Sequence, residues 1–378
     1  MISNAQLINY YPKYQYLDDL LSKTGCKKIN FFIDLKGCCQ SLYQEWAIRY
    51  IVDQTRGSTH VDCSVFGAFL EFISFHKQYV KKRNIKADFY VFYEHGDSAY
   101  HKNIDKNYKA NRGLTDFFDL DEIYKDTFFK VFTKNLNTIE RVGNKLPNVH
   151  IYRLEWLEAD FIPYYLLNYV IKDQPENLNI IYSMDKDMLQ CLKLDRTYQY
   201  FRHPTHHTWV NKDNIYKHHL KDETLKEIDC EYFPVLLAIL GDSSDNIPKY
   251  VDGVGNKMFI QHIYPNLEKM CGTPDEMYKN LKENNRLFKI NSYGNKYIDK
   301  VLQNEKDIIK NFRLTSFRLL SEYLDGQFPL EILEKKKIIW NVTSNTQKIN
   351  QAVILYNALQ TIGLGDLVTE NTISSLFW

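Results

Sequence analysis

The residues of this chain that could do chemistry are carboxylates recurring just past short apolar runs. Asp34 ends the run 29–33, and Glu94 follows the run 87–93. Glu158 and Asp160 come a few residues after 149–153, and Asp185 and Asp187 directly after 178–183. Asp242 and Asp245 follow the apolar stretch 235–240 and Gly241, which reads as a helix stop. A single acid in such a place is ordinarily a solvated loop residue or a helix cap. Eight from five segments, if brought to one edge, are another matter. They would repel one another, raise their own pKa values and cost stability unless cations neutralise them. An oxygen-only donor set without His or Cys selects Mg²⁺ or Mn²⁺ over zinc. Two such ions can clamp the attacking and leaving oxygens of a phosphodiester during in-line displacement.

Positive counterparts are few. In Tyr108-Lys109-Ala-Asn-Arg112, Lys109 can meet a phosphate as a point charge, Arg112 bidentately, and Tyr108 could stack on a base. Taken alone, this is an exposed basic turn. Gly253-Val-Gly255-Asn-Lys257 opens a helical pattern, so its free backbone N–H groups suit a phosphate. The pieces Arg202-His203-Pro-Thr-His206-His207 and His218-His219 suggest zinc, but no Cys accompanies them, and a polar hairpin is the better reading.

The elements that must position these groups alternate. Runs 29–34, 87–93, 149–153 and 178–183 read as buried strands. Segments 64–80, 120–142 and 158–171 read as helices, and 96–118 as a mobile basic loop or helix with Lys102 and Lys106. Alternation of this kind predicts a parallel α/β sheet, whose ligands bind outside the carboxyl ends of the strands, where the acids fall. From about residue 225 the chain becomes helical: 231–240, 256–263, 273–281 and 301–312. Residues 1–25 read as a helix or arm.

Composition is that of an ordinary globular protein, rich in aromatics (28 Tyr and 22 Phe), with length for about two domains. A net charge of +1 argues against a general polyanion binder, although clustered acids would cancel a basic surface in the sum. Seven scattered cysteines without a C-x-x-C spacing read as reduced thiols of a cytosolic chain. Neither a membrane span nor a signal peptide is expected.

The set Ile33-Asp34, Tyr108-Lys109-x-Asn-Arg112, Glu158-Ala-Asp160, Ser183-x-Asp185-Lys-Asp187 and Gly241-Asp242-x-x-Asp245-Asn-Ile, then Gly253-x-Gly255-x-Lys257, resembles the 5′-nuclease superfamily. Its members include flap endonucleases and phage 5′-exonucleases; the phage and T-even ribonuclease H branch looks nearest. The resemblance runs from about residue 29 to about 320. It implies a PIN-like nuclease domain (1–225) with an arch at about 96–118, and a helical module (226–330) with a helix–three-turn–helix at 231–265. Residues 331–378 form an extension.

Carried over by that resemblance, Asp34, Glu94, Glu158 and Asp160 hold a first metal cluster. Asp185, Asp187, Asp242 and Asp245 hold a second. Asp34, Glu158, Asp185, Lys109 and Arg112 form the catalytic set. Tyr108, Lys109, Arg112, Gly253, Gly255 and Lys257 contact DNA, with a K⁺ ion at the hairpin in many members. Glu94 stands where Asp is usual, with Asp97 as its rival. Phe161 replaces a third acid, and Pro163 lies early in the helix after Glu158. The implied activity is a two-metal 5′→3′ exonuclease and flap endonuclease of primer removal or repair, monomeric and cytoplasmic, in an infected bacterium if phage-encoded. Its substrate is DNA with a 5′ flap, nick or end. An RNA-directed nuclease acting on RNA–DNA hybrids, or a non-catalytic junction binder, is the alternative. The tail Ser374-Ser-Leu-Phe-Trp378 resembles peptides that dock on a sliding clamp or single-strand binding protein; packing back on the body is its plainer role.

Overall fold

The computed structural model describes residues 14–35, 64–95, 97–110, 135–155, 157–202, 207–325 and 376. Six strands form one sheet: β1 (Lys28–Asp34), β2 (Lys86–His95), β3 (Val149–Glu155), β4 (Leu178–Tyr182), β5 (Thr197–Arg202) and β6 (His207–Val210), in the order β3-β2-β1-β4-β5-β6. The first five run parallel, and β6 pairs antiparallel with β5. β1 and β4 are buried almost throughout because they are central strands covered on both faces, and their one interior polar residue each, Asn30 and Asn179, is hydrogen-bonded to the other at 2.9 Å. Along β1, Phe31 and Ile33 enter the core on one face of the sheet and Phe32 the core on the other, as the two-residue pleat requires.

The first face is covered by α1 (Tyr14–Thr24) and α2 (Ser64–Lys82), whose Phe66, Phe69, Leu70 and Ile73 recur at helical spacing. Leu376 is buried in this same core, and the buried Lys77 of α2 donates to its carbonyl at 2.5 Å, so the chain packs back on the body there. The second face carries α4 (Phe161–Tyr165), which runs on through a π-helical turn to Val170. Pro163 lies in its first turn, where no N–H partner is lost. A short α3 (Ala99–Ile104) precedes the basic turn.

After α5 (Ile215–Leu220), the helical part comprises α6 (Phe233–Leu240), α7 (Asn256–Met258), α8 (Leu267–Cys271), α9 (Pro274–Asn284), α10 (Lys296–Gln303), α11 (Glu305–Thr315) and α12 (Phe317–Asp325). Where one helix was expected over 301–312 there are two. Asn304 turns its side chain back to the Lys300 carbonyl at 2.8 Å and separates them, the usual way Asn competes with helical hydrogen bonds. The second apolar core runs without a break from Phe32 and Phe92 to Phe312 and Leu324, across the division expected near residue 225. Among the described residues Cys26, Cys191, Cys230 and Cys271 are buried and form no disulfide. No described helix is long and apolar enough to cross a membrane.

Candidate metal centre

The strand order reverses between β1 and β4, and the crevice at the carboxyl ends of these two neighbours is where an open α/β sheet places its ligand. Asp34 closes β1. Ser183 follows β4 and donates its hydroxyl to Asp34 Oδ2 at 3.0 Å, while accepting from the Asp185 N–H at 3.1 Å. Asp185 then caps a tight turn, its Oδ1 accepting from the Asp187 N–H at 2.9 Å, and Gln199 of β5 holds the Asp185 carbonyl at 2.6 Å.

The Gly241 loop is built the same way. α6 stops at Gly241 with φ 75°, and a side chain there would meet Lys249 N at 2.9 Å, so only glycine fits. Asp242 and Ile247 exchange both backbone hydrogen bonds, and Asp242 Oδ1 accepts from the Ser244 N–H at 3.0 Å. Asn311 of α11 donates to the Ala238 and Pro248 carbonyls at 3.0 and 2.7 Å and pins both ends of the loop. A cavity of about 440 Å³ opens against Asp242, Ser243 and Asn246.

The basic turn is fastened to this loop. The Lys109 N–H donates to the Asp245 carbonyl at 2.9 Å from a left-handed φ of 54°, and Asn246 donates to the Asn107 carbonyl at 2.7 Å. Lys109 Nζ lies 2.5 Å from Glu158 Oε1 and 3.7 Å from Asp245 Oδ2. Tyr108 departs from the expectation that it stacks on a base. It is 3 % exposed, its ring is stacked on His101 at 4.6 Å, and its hydroxyl lies 3.1 Å from Glu158 Oε2 and 3.2 Å from Asp245 Oδ2. The apolar ring is spent on burial, and the hydroxyl bridges two acids.

All eight expected acids share this edge. Burial, then Asp185, Glu94 and Asp34, raise the Asp160 carboxyl well above its usual range, against a lowering by Lys109. Burial, then Asp185, Asp245 and Asp242, raise Asp187 likewise, against Lys186. Glu94 is thus among the charges that act on Asp160, and Asp97 is exposed. Glu158 is depressed: burial pushes it up, but Lys109 and His101 outweigh that. Asp242 is also held low, burial being overcome by Lys186, 2.7 Å away, and Ser244.

Among the described residues no three His, Cys, Asp or Glu side chains already surround one point as ligands. Asp187 Oδ1, however, is buried without a hydrogen-bond partner among mutually repelling carboxylates. An all-oxygen set with an orphaned carboxylate oxygen suits a hard divalent cation.

Arg112 and the rest of the expected arch, 111–118, lie outside the described residues, as do His203 and His206. The rings of His218 and His219 pack on Phe201 and Phe233. Gly253 has φ 77°, Lys257 is exposed, and Lys300 of α10 reaches the Asp252 carbonyl beside them at 3.3 Å. Sequence reading quoted Ser183 and Lys186 within the Asp185 motif without giving either a role, and it missed His101 and Lys300.

Comparison with known proteins points one way. No family model matches the chain. A 5′-3′ exonuclease of Buchnera aphidicola subsp. Schizaphis graminum (strain Sg) is 29% identical over 199 residues, 47% of this chain; the chain spans 64% of the length of that curated relative. Among solved structures, a T5 protein co-crystallised with metal ions matches with TM-score 0.54 at 18% identity, covering 82% of this chain and 96% of that one. A bacteriophage T5 flap endonuclease in a pseudo-enzyme–product complex with DNA and metal ions matches with TM-score 0.55 at 17% identity, covering 81% and 96%. T5 5′-exonuclease with bound zinc matches with TM-score 0.53 at 18% identity, over 82% and 96%. These structures share the fold, a mainly parallel sheet flanked by helices, and the curated relative, a 5′-3′ exonuclease, agrees with the resemblance to 5′-nucleases read from the motifs.

Proposed function

We propose that this chain, similar in sequence and fold to 5′-nucleases, is a metal-dependent 5′→3′ exonuclease and structure-specific flap endonuclease of replication primer removal or repair. One observation carries the reading: five separate segments deliver eight carboxylates to the edge where the strand order reverses, and one buried oxygen, Asp187 Oδ1, has no partner. That density of acid serves hydrolysis of phosphodiesters and little else.

Asp34, Glu94, Glu158 and Asp160 would hold one Mg²⁺ or Mn²⁺, and Asp185, Asp187, Asp242 and Asp245 a second. When bound, the ions supply an activated water and neutralise charge on the phosphate. The chain's own residues do the rest. Tyr108 keeps Glu158 and Asp245 at fixed separation. Lys109 and Arg112 give charge-assisted hydrogen bonds to the scissile phosphate as negative charge builds on it. The Gly253–Gly255 hairpin, Lys257 and the helical module 226–330 would hold duplex backbone, which makes binding sequence-independent and salt-sensitive. A K⁺ ion there rests on the resemblance alone. A clamp partner at the C-terminus would first have to lift Leu376 out of the core.

The test is a labelled 5′ flap, a nicked duplex and an RNA-primed duplex, each with Mg²⁺ and with EDTA. EDTA-sensitive short products from the flap are expected. Products from the RNA-primed duplex alone would favour a ribonuclease H, and none from any of them a junction binder.

A further inference from the structure

Two ammonium groups already stand among the acids, and they divide the work. Lys109 lies against Glu158 and Asp245 and is the cation that relieves Asp160. Lys186 lies 2.7 Å from Asp242 Oδ1 and is the cation that relieves Asp187. Lys109 has a phosphate to meet in the proposed reaction. Lys186 has none assigned to it. Its backbone sits inside the turn that Asp185 caps, between two acids of the second cluster, and its side chain crosses to the acid of the other loop. The nearby His219 is held neutral, its pKa pushed down to about 4 by burial and then by Lys186 itself, so it supplies no competing charge. The oxygen left without a partner, Asp187 Oδ1, belongs to the same cluster.

We propose that Lys186 is a resident counter-ion: its ammonium stands in for a divalent cation at Asp242 until one binds in the second acid cluster, and is then displaced. The physical reason is charge balance. An acid cluster assembled by folding before any metal arrives needs an internal cation. The same cation must then repel and compete with the incoming ion. Stability of the metal-free protein and affinity for the metal are set against each other at this one side chain.

The inference deepens the metal assignment of the proposed function, and its test does not use cleavage. Mn²⁺ binding to the full chain is measured by titration calorimetry, with thermal unfolding in EDTA alongside. Lys186→Met should tighten Mn²⁺ binding about fivefold to tenfold, a tenfold gain being about 1.4 kcal/mol, and lower the metal-free melting temperature. Lys186→Arg, which keeps the charge, should leave both near wild type. Unchanged or weaker Mn²⁺ binding by Lys186→Met overturns the proposal, including the case where only stability falls, because that is a structural ion pair and no more. Should Lys186→Met fail to fold without metal, the wild type decides. Its lysines are dimethylated with a ¹³C label, and the Lys186 signal is identified by its loss in Lys186→Arg. A shift of that signal on adding Mg²⁺ supports displacement, and a signal that stays while Mg²⁺ binds overturns it. A shift in a protein that cleaves no substrate would leave this inference standing and remove the nuclease.

Discussion

The two halves of the acid edge reach the same end by different construction. Asp185 and Asp187 lie on one tight turn, Asp242 and Asp245 on another. In each, the first acid caps the turn by accepting a backbone N–H two residues on. Their geometry is local, fixed by Asx-type hydrogen bonds within a few residues. Asp34, Glu94, Glu158 and Asp160 have no such local frame in common. Asp34 and Glu94 sit near the ends of β1 and β2, and Glu158 and Asp160 in the turn after β3, so their spacing depends on sheet register. The counter-ions differ likewise: Lys186 is a sequence neighbour of its cluster, whereas Lys109 arrives from a distant turn. Two hydroxyls join the halves, Ser183 between Asp34 and Asp185, and Tyr108 between Glu158 and Asp245. The local half should therefore tolerate distant disturbance, and the register-dependent half should not.

Asp160→Asn and Asp187→Asn test whether the halves are equivalent in use. Each should lower turnover by about 10²-fold or more, beyond the 10–100-fold that loss of an outer partner costs, with flap binding still detectable by gel shift. Each should also raise metal-free stability by about 1 kcal/mol, because a buried, repelled carboxylate becomes neutral. Turnover equal to wild type in either variant would end the two-ion assignment for that half.

A control lies in the core between α2 and the sheet. His76 is fully buried in the core under α2, with Nδ1 2.8 Å from the Phe72 carbonyl and Nε2 3.2 Å from the Tyr182 hydroxyl. Burial pushes its pKa down from 6.5 to about 4. A depressed folded-state pKa means that the unfolded chain takes up the proton first. Its contribution is thus present above pH 6.5 and lost as the pH falls towards 4. The loss is about 3 kcal/mol over that window, read from urea unfolding at a series of pH values with EDTA present. His76→Phe should flatten this part of the profile while leaving Mn²⁺ binding alone. A profile unchanged by the substitution would assign the acid sensitivity elsewhere.

How much of this was legible in the sequence follows the same division. β1 and β4 announce themselves as mostly apolar runs, each with a single Asn, because both faces are covered, and an acid at or just past each strand end is then placed by the chain's own parallel topology. β5 and β6 mix Thr, Gln and His with aromatics and gave only a hairpin around 203–207. The break at Asn304 was hidden because Asn reads as ordinary helix surface until its side chain is seen turned onto the Lys300 carbonyl. The role of Tyr108 was unreadable. Its hydroxyl meets acids 50 and 137 residues away, and no local pattern distinguishes a tyrosine that bridges from one that stacks.

Removing the bridges should therefore separate the halves by degrees. Tyr108→Phe deletes a buried donor shared by two carboxylates and should cost about 1–3 kcal/mol of stability. It should also weaken Mn²⁺ binding several-fold, with the ring still stacked on His101. Equal Mn²⁺ affinity would mean that the register of the sheet alone fixes Glu158.

Ser183→Ala should cost least, about 1 kcal/mol. The Asp185 turn keeps its own cap and the Gln199 contact when the serine hydroxyl is gone, so the second cluster retains its shape. What Ser183→Ala removes is the hydrogen bond from the turn after β4 to Asp34 at the end of β1. Its effect should appear as weaker binding of one Mn²⁺ equivalent and not the other. Equal weakening of both would show that the halves are one site and that their different construction has no consequence for how they bind.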